Sequence, residues 1–481
     1  MRSTYLLLFI LLTCVGQLWS QPEGDAGETI AIGKSYKINS SILEEERPLL
    51  IHLPKGYAKA EKQYPVMYLL DGGSNFHHTT GSVDFLSRQG RMPEMIVVGI
   101  PNTGDRTHNL TPPTATRKDD FPTAGGADSM LLFITEEVMP FVATNYRVNN
   151  YKMLVGHSFG GLFVTHTLLH HPGVFNSYIS ISPSLWWDEQ DLVLNQSDTF
   201  FAEQENLKGH LYMTMGNEGG DMVGGAWKLS ALLEEKGPAG LKWHFNRMEE
   251  ETHGTIPFRS TYQGLEFIFA DFDMNKRAED FSSGRLTLAG YEASLKEQFD
   301  LSPDWEVKSL LRIGERLFNN VSPAKAQPFA QKATELKPGN AKGWLLLGAT
   351  QQSTDEAAAI TSYQKVLSIN PKNQSAKIAL RELGVELDDG MERYDVSAKE
   401  LEDFVGSYKV NLDFTLKLEL AEGKLWILAP ETAKEALVPL EKDVFFLTSK
   451  EAKAMFTRTK GAVTGVNIAT PGGTFTGEKV E

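Results

Sequence analysis

The chain has 481 residues, about three times the usual single-domain length, so two or three folded units are expected. Its 41% hydrophobic, 23% charged and 10% aromatic residues exclude a wholly disordered, collagen-like or coiled-coil chain. With 62 acidic against 47 basic residues the net charge is −15, without the basic surplus that nucleic-acid binding needs, and the single cysteine excludes disulfide frameworks and cysteine zinc sites.

Residues 1–20 read as a secretory signal. Arg2 supplies the positive start, and Tyr5 to Leu12 is an apolar run too short for a bilayer, which needs roughly 20 residues. Cleavage is expected after Ser20, giving a periplasmic or secreted protein. Leu11-Leu-Thr-Cys14 faintly resembles a lipoprotein cleavage site, but Thr13 is larger than the residue normally found there, so lipidation at Cys14 is the alternative. No later stretch is long and apolar enough to anchor the chain in a membrane.

From 21 to 274, short apolar runs alternate with helical patterns. Strands are predicted at Leu49–Leu53, Val66–Asp71, Met95–Ile100, Lys152–Gly156, Tyr178–Ser182, His210–Met215 and Trp243–Met248. Helices are predicted at Ser129–Asn145, Gly161–His170, Trp227–Glu235 and Tyr262–Phe269. The alternation implies an α/β unit, a mainly parallel sheet with helices on both faces. Residues 275–301 are charged and dotted with Gly and Ser, and read as a linker.

From 302 to 387 the pattern is helical, with an echo between Glu335-Leu-Lys-Pro-Gly-Asn-Ala and Ser368-Ile-Asn-Pro-Lys-Asn-Gln. Trp344, Leu347-Gly348, Ala359 and Tyr363 between them resemble the tetratricopeptide pattern. A helical spacer is the favoured reading and a protein-binding groove the alternative. From 396 to 481, alternating segments and turns such as Glu422-Gly423 predict a small antiparallel β domain, which resembles the β domains appended to secreted serine hydrolases.

The chemistry concentrates in the first unit. Gly156-His-Ser-Phe-Gly160 follows a predicted strand and precedes a predicted helix, the setting of a nucleophile elbow with Ser158 at its tip. A serine needs a base to remove its proton. In this architecture the base is a histidine late in the unit, and His253 follows the last strand. The acid should follow the preceding strand, where Glu218 comes first and Asp221 is the alternative. The backbone N–H of Phe159 and of Gly73, or alternatively Gly72, would form the oxyanion hole.

Tyr64-Pro-Val-Met-Tyr-Leu-Leu-Asp-Gly, Ile96-Val-Val-Gly-Ile-Pro-Asn, Arg106 with Leu110-Thr-Pro, Gly156-His-Ser-Phe-Gly-Gly and Ser182-Pro-Ser-Leu-Trp-Trp occur in that order. Together they resemble the putative esterase family of α/β-hydrolases, which takes in siderophore and feruloyl esterases and S-formylglutathione hydrolase. The resemblance spans about 28 to 272 and implies a Ser–His–Asp/Glu triad without metal or cofactor. Some siderophore esterases of the family use a Ser–His pair alone. The implied function is an exported serine esterase acting on small-molecule or polysaccharide-linked esters. A siderophore-type ester is favoured over a feruloyl or acetyl ester, and a non-catalytic binding protein on a hydrolase scaffold is the rival.

His77, Arg106, Trp186 and Trp187 are candidate substrate contacts, with core packing an equal alternative for the two tryptophans. Arg88, Arg91 and Arg117 are further cations whose loops could converge on an anionic substrate, although scattered surface arginines are the commoner explanation. His166 and His170 have helical metal spacing, but no third ligand is evident in the sequence, so a solvated helix face is expected.

Overall fold

Uninterrupted apolar runs form the middle of an eight-stranded sheet in a computed structural model that describes residues 30–302, 305–387, 394, 396–410, 414–428, 434–447, 452–470 and 473–480. The signal segment and Cys14 lie outside the described residues. The strands are β1 (Lys34–Ser40), β2 (Glu45–His52), β3 (Tyr64–Leu70), β4 (Ile96–Ile100), β5 (Val148–His157), β6 (Ser177–Ile181), β7 (Gly209–Met215) and β8 (Leu241–Arg247). They are ordered β1-β2-β4-β3-β5-β6-β7-β8. From β3 to β8 all pairings are parallel, while β1 and β2 add an antiparallel edge. β1 escapes the sequence reading because Lys-Ser-Tyr-Lys-Ile-Asn-Ser is mostly exposed and polar.

Central β3 is buried along its whole length, and its side chains divide between two cores. Tyr64, Val66, Tyr68 and Leu70 enter one, with helices α2 (Ala127–Leu132), α3 (Phe159–His170) and α4 (Asp221–Lys236). Met67 and Leu69 enter the other, with α1 (Gly72–Arg88) and α5 (Ile256–Ile268). This is the period-two alternation of a strand covered on both faces.

Residues 275–301, expected as a linker, carry two helices instead, α6 (Ala278–Ser283) and α7 (Leu288–Phe299). Their Gly, Ser and charge content hides four buried anchors, Phe281, Tyr291, Leu295 and Phe299. The Phe299 ring lies 5.5 Å from Tyr151 and 5.1 Å from Phe269, so α7 seals the lower half of the sheet. Helices α8 (Val307–Asn320), α9 (Pro323–Leu336) and α10 (Ala341–Gln351) extend the same core through Leu310, Leu317, Phe329 and Leu346. α11 (Glu356–Ile369) folds back on α10, with the Tyr363 ring over Gly348 and Ala359 fully buried.

The last eight strands, β9 (Gly406–Lys409), β10 (Thr415–Ala421), β11 (Lys424–Leu428), β12 (Glu435–Glu441), β13 (Val444–Leu447), β14 (Ala452–Thr459), β15 (Ala462–Thr470) and β16 (Gly473–Lys479), form a closed antiparallel barrel. The turn Glu422-Gly423 has both residues at positive φ, the geometry that matches strand twist in a two-residue hairpin. Alternate residues such as Leu416, Leu418, Leu425 and Ile427 fill the interior together with Phe404, Phe445 and Phe456.

A buried histidine, His210, and a partly buried one, His157, tie stability to pH. Burial lowers His210 to about 4, with Lys242 adding to the effect, and burial beside His253 lowers His157 to about 4. An unfolded histidine titrates near 6.5, so below that pH the unfolded chain takes up protons that the folded chain refuses. Stability therefore falls as pH drops from about 6.5 to 4, by on the order of 3 kcal/mol per group. We expect a lower Tm at about pH 5 than at pH 7.5, and His210→Gln should flatten that dependence. An unchanged slope in the variant would show that other groups carry it.

Candidate active site

All the candidate catalytic residues stand at the carboxyl edge of the parallel strands, where ligands bind in open α/β sheets. Strand β5 ends at His157 and α3 begins at Phe159, leaving Ser158 alone in the turn with φ 62° and ψ −116°. Such a conformation costs about 1–3 kcal/mol and has to be held by its surroundings. Glycine is required beside it, because a Cβ on Gly156 would lie 2.3 Å from the carbonyl oxygen of Gly160.

The turn aims the Ser158 hydroxyl at a histidine. Ser158 Oγ lies 3.0 Å from Nε2 of His253, and His253 Nδ1 lies 2.8 Å from Oε2 of Glu218. The other carboxylate oxygen of Glu218 accepts a 2.7 Å bond from the Ser182 hydroxyl, which itself accepts from the N–H of Gly216. Arg247 donates to the Glu218 backbone carbonyl at 2.7 Å. Glu218 is thus fixed from three sides, while His253, with a side chain 41% exposed, opens to solvent. Asp221, the alternative acid, is the exposed first residue of α4. Asp188 and Glu189 are absent from this chain of bonds. Asp188 instead caps the loop at 114–116, where burial raises its pKa but bonds from Thr114, Thr116 and Ala115 bring it down to about 2.

Two helices start at this edge. Phe159 opens α3, so its N–H has no intrahelical partner, and the positive end of the helix dipole lies beside Ser158. Gly72 and Gly73 open α1 after Asp71, which adopts the left-handed φ of 53°. Gly72 is wedged against β4, where a Cβ would come within 2.6 Å of the Ile100 nitrogen, whereas Gly73 is exposed.

Several expected substrate contacts take other roles. Arg106 is committed to Asp71, donating from Nε to Oδ1 at 2.7 Å and from Nη2 to Oδ2 at 2.8 Å. Its Nη2 also bonds the His157 carbonyl at 3.1 Å, so the guanidinium braces the elbow from below. Trp187 is a core residue, 1% exposed, with its indole N–H on the Pro112 carbonyl at 3.2 Å. Trp186 remains half-buried and forms a patch with Phe121 and Phe159, and the Arg117 guanidinium lies 5.4 Å over its ring. His77 stands exposed near the start of α1.

The four arginines do not converge. α1 carries the chain about 25 Å away from the site in 17 residues, and Arg88 ends it at the opposite edge of the sheet. There Arg88 lines a cavity of about 730 Å³ with Met92, Tyr291 and Trp305. Arg91 pairs with Glu266 and Asp273. The expected solvated face holds for the exposed His170 but is corrected for His166, which is only 6% exposed and bonds Asp128.

Sequence reasoning missed the residues that hold the site from behind. Ser182 was visible only as part of a motif, although its position one residue past a strand end was a usable signal. Asn102 donates to Asp71, and its loop is held by the buried Arg47, which bonds the carbonyls of Pro101 and Thr103. No local pattern announces these long-range contacts.

Exchange of Arg106 separates its two possible duties. With Arg106→Ala, buried Asp71 loses both guanidinium bonds, and we expect about 2 kcal/mol of destabilisation after solvent screening, read by urea unfolding. A raised KM with unchanged stability would instead make Arg106 a substrate contact.

Residues 40–228 match the family model described as "Putative esterase". The match is confined to this stretch, which holds β2 to β7 and the Ser158 turn. Ferri-bacillibactin esterase of Bacillus subtilis is 36% identical over 159 residues, 29% of this chain and 54% of that protein. Siderophore enterobactin esterase of Emericella nidulans is 34% identical over 153 residues, 27% of this chain and 50% of that protein. The chain thus spans about half the length of the curated relatives it matches. Among solved structures, an IroE-like serine hydrolase from Shewanella oneidensis is covered over its whole length by 67% of this chain, at 26% identity and a TM-score of 0.53. An uncharacterised protein from Capnocytophaga ochracea, 98% covered by 73% of this chain at 14% identity and a TM-score of 0.58, shares the fold. Among the described residues, no helix is long and apolar enough to cross a membrane.

Proposed function

We propose that the chain is an exported serine esterase that works through an acyl-enzyme. The reading rests on the hydrogen-bonded series Glu218–His253–Ser158, with spacings of 2.8 and 3.0 Å and its serine on a strained turn at a helix N-terminus. His253 takes the Ser158 proton as Oγ attacks the ester carbonyl, and Glu218 holds the imidazole with Nδ1 protonated and Nε2 free. The tetrahedral oxygen takes its charge beside the N–H groups of Phe159 and Gly73, at the start of two helices. His253 then gives its proton to the departing alcohol, and water repeats the cycle on the acyl-Ser158 ester. Binding and chemistry use side chains and backbone alone.

For the substrate we favour a siderophore-type ester, an alternative to which is a feruloyl or acetyl ester on a polysaccharide. One relative is named a siderophore enterobactin esterase and another a ferri-bacillibactin esterase. The patch of Phe121, Phe159 and Trp186 beside Ser158 suits an aryl group, and Arg117 above it supplies one cation. Convergence of the arginines, one of the two readings of the sequence, does not contribute to this choice. A fluorophosphonate probe should label Ser158 stoichiometrically, and an inert chain would make this a binding protein. Measurement of kcat/KM on a cyclic catecholate triester, methyl ferulate and acetylated xylan tests the substrate. A tenfold preference for either carbohydrate-type ester, about 1.4 kcal/mol, would reverse the assignment.

A further inference from the structure

The far end of the nucleophile helix gathers a second group of chemistry-bearing side chains that the proposed reaction does not use. α3 ends at His170, and the next residue, His171, leaves the helix with φ −129° and ψ 56°. His166 lies one turn back on the same helix, and Asp128 is in the first turn of α2. Asp128 Oδ1 sits 2.9 Å from His166 Nε2 and 3.6 Å from His171 Nε2. One ligand atom from each of the three residues falls within 4.8 Å of the others. Neighbouring ligand atoms around a tetrahedral zinc ion, with bonds of about 2.0–2.1 Å, lie roughly 3.3 Å apart, and 2.9 and 3.6 Å bracket that spacing.

We propose that Asp128, His166 and His171 form a site for a divalent late transition ion, zinc being the best fit to two imidazoles and one carboxylate. The burial differs in a useful way. His166 is almost wholly enclosed, so one ligand is fixed in direction, while the His171 and Asp128 side chains are 43% and 64% exposed and free to close by a few tenths of an ångström. The ion would sit at the carboxyl end of α3, where the helix dipole is negative and favours a cation. His170 is not a ligand in this arrangement, because its Nε2 bonds Gln196 Oε1 at 2.9 Å, so solvent completes the fourth position. A contiguous His170-His171 pair made the site hard to see in the sequence, since the helical i, i+4 pair draws attention to His170 whereas the chain bends to present His171. The ion would clamp α2 to the end of α3, with no part in ester chemistry at the opposite end of that helix.

The test uses the untagged full chain. Titration with Zn²⁺ by calorimetry after chelator treatment should give one saturable site per chain, and Co²⁺ at the same site should show the visible absorption of tetrahedral coordination. His171→Ala, an exposed change, should weaken Zn²⁺ at least tenfold and remove the Co²⁺ band, and Asp128→Asn should do the same. Both variants should keep their hydrolysis of p-nitrophenyl acetate, with a Tm no longer raised by Zn²⁺. Absence of a saturable site in the parent protein, or an isotherm left unchanged by both substitutions, overturns the proposal. A His171→Ala protein that binds normally while Asp128→Asn does not would overturn the ligand set as stated.

Discussion

Ser158→Ala is expected to lower kcat on p-nitrophenyl acetate by about 10⁴-fold or more while leaving the unfolding midpoint within a few degrees of the parent. The hydroxyl is the only atom removed, and alanine meets the same backbone restraint at φ 62° as serine does. Neither Gly156 nor Gly160 is disturbed, so the crossing of β5 and α3 survives. His253 and Glu218 keep their mutual 2.8 Å bond. Hydrolysis close to the parent rate in the variant would remove Ser158 from the reaction and with it the whole assignment of the site.

Loss of the acid should be the next largest effect. Glu218→Gln keeps the shape of the side chain but replaces an acceptor oxygen with either another acceptor or an NH₂ donor. The amide can donate to Nδ1 and so stabilise the wrong imidazole tautomer, which costs a triad enzyme about 10⁴-fold at the extreme. We expect a loss of about 10²- to 10⁴-fold in kcat for Glu218→Gln and less than twofold for Asp221→Asn. The contrast follows from position, since Glu218 is 10% exposed and bonded at both oxygens, while Asp221 begins a helix in solvent. A small loss in both would indicate that Ser158 and His253 act as a pair, and a larger loss in Asp221→Asn would exchange the roles. Steady-state kinetics with matched circular dichroism spectra decides among these outcomes.

What could be read from the sequence was whatever short-range pattern dictates. Strand β3 is buried on both faces and therefore reads as an unbroken apolar run, and the elbow needs its glycines at fixed offsets from Ser158. Glu218 stands in the first loop after β7, so its order along the chain already pointed to it. Contacts across long separations were a different matter. Arg106 looked like a free cation until the fold brought it to Asp71, 35 positions away. Trp187 looked like a pocket wall because nothing local reveals that Pro112 accepts its N–H. The linker reading of 275–301 failed for a related reason: four buried aromatic and aliphatic anchors spaced along polar helices make a weak pattern, yet they cover the underside of the sheet.

The ring of strands at the carboxyl-terminal end has a consequence for the order in which it is made. Seven of its eight seams join strands that follow one another along the chain, and each such hairpin forms locally. The eighth joins β9 to β16 through Lys409 opposite Glu478 and Tyr408 opposite Lys479, about 70 residues apart. Until that seam closes, both rims stand open as unpaired edges able to recruit another chain. During synthesis β9 emerges long before its partner, so the unit has an interval in which it is a sticky, incomplete sheet. Shaving a few residues from β16 would make the interval permanent, converting a sealed cylinder into an assembly-prone ribbon without touching a residue near Ser158.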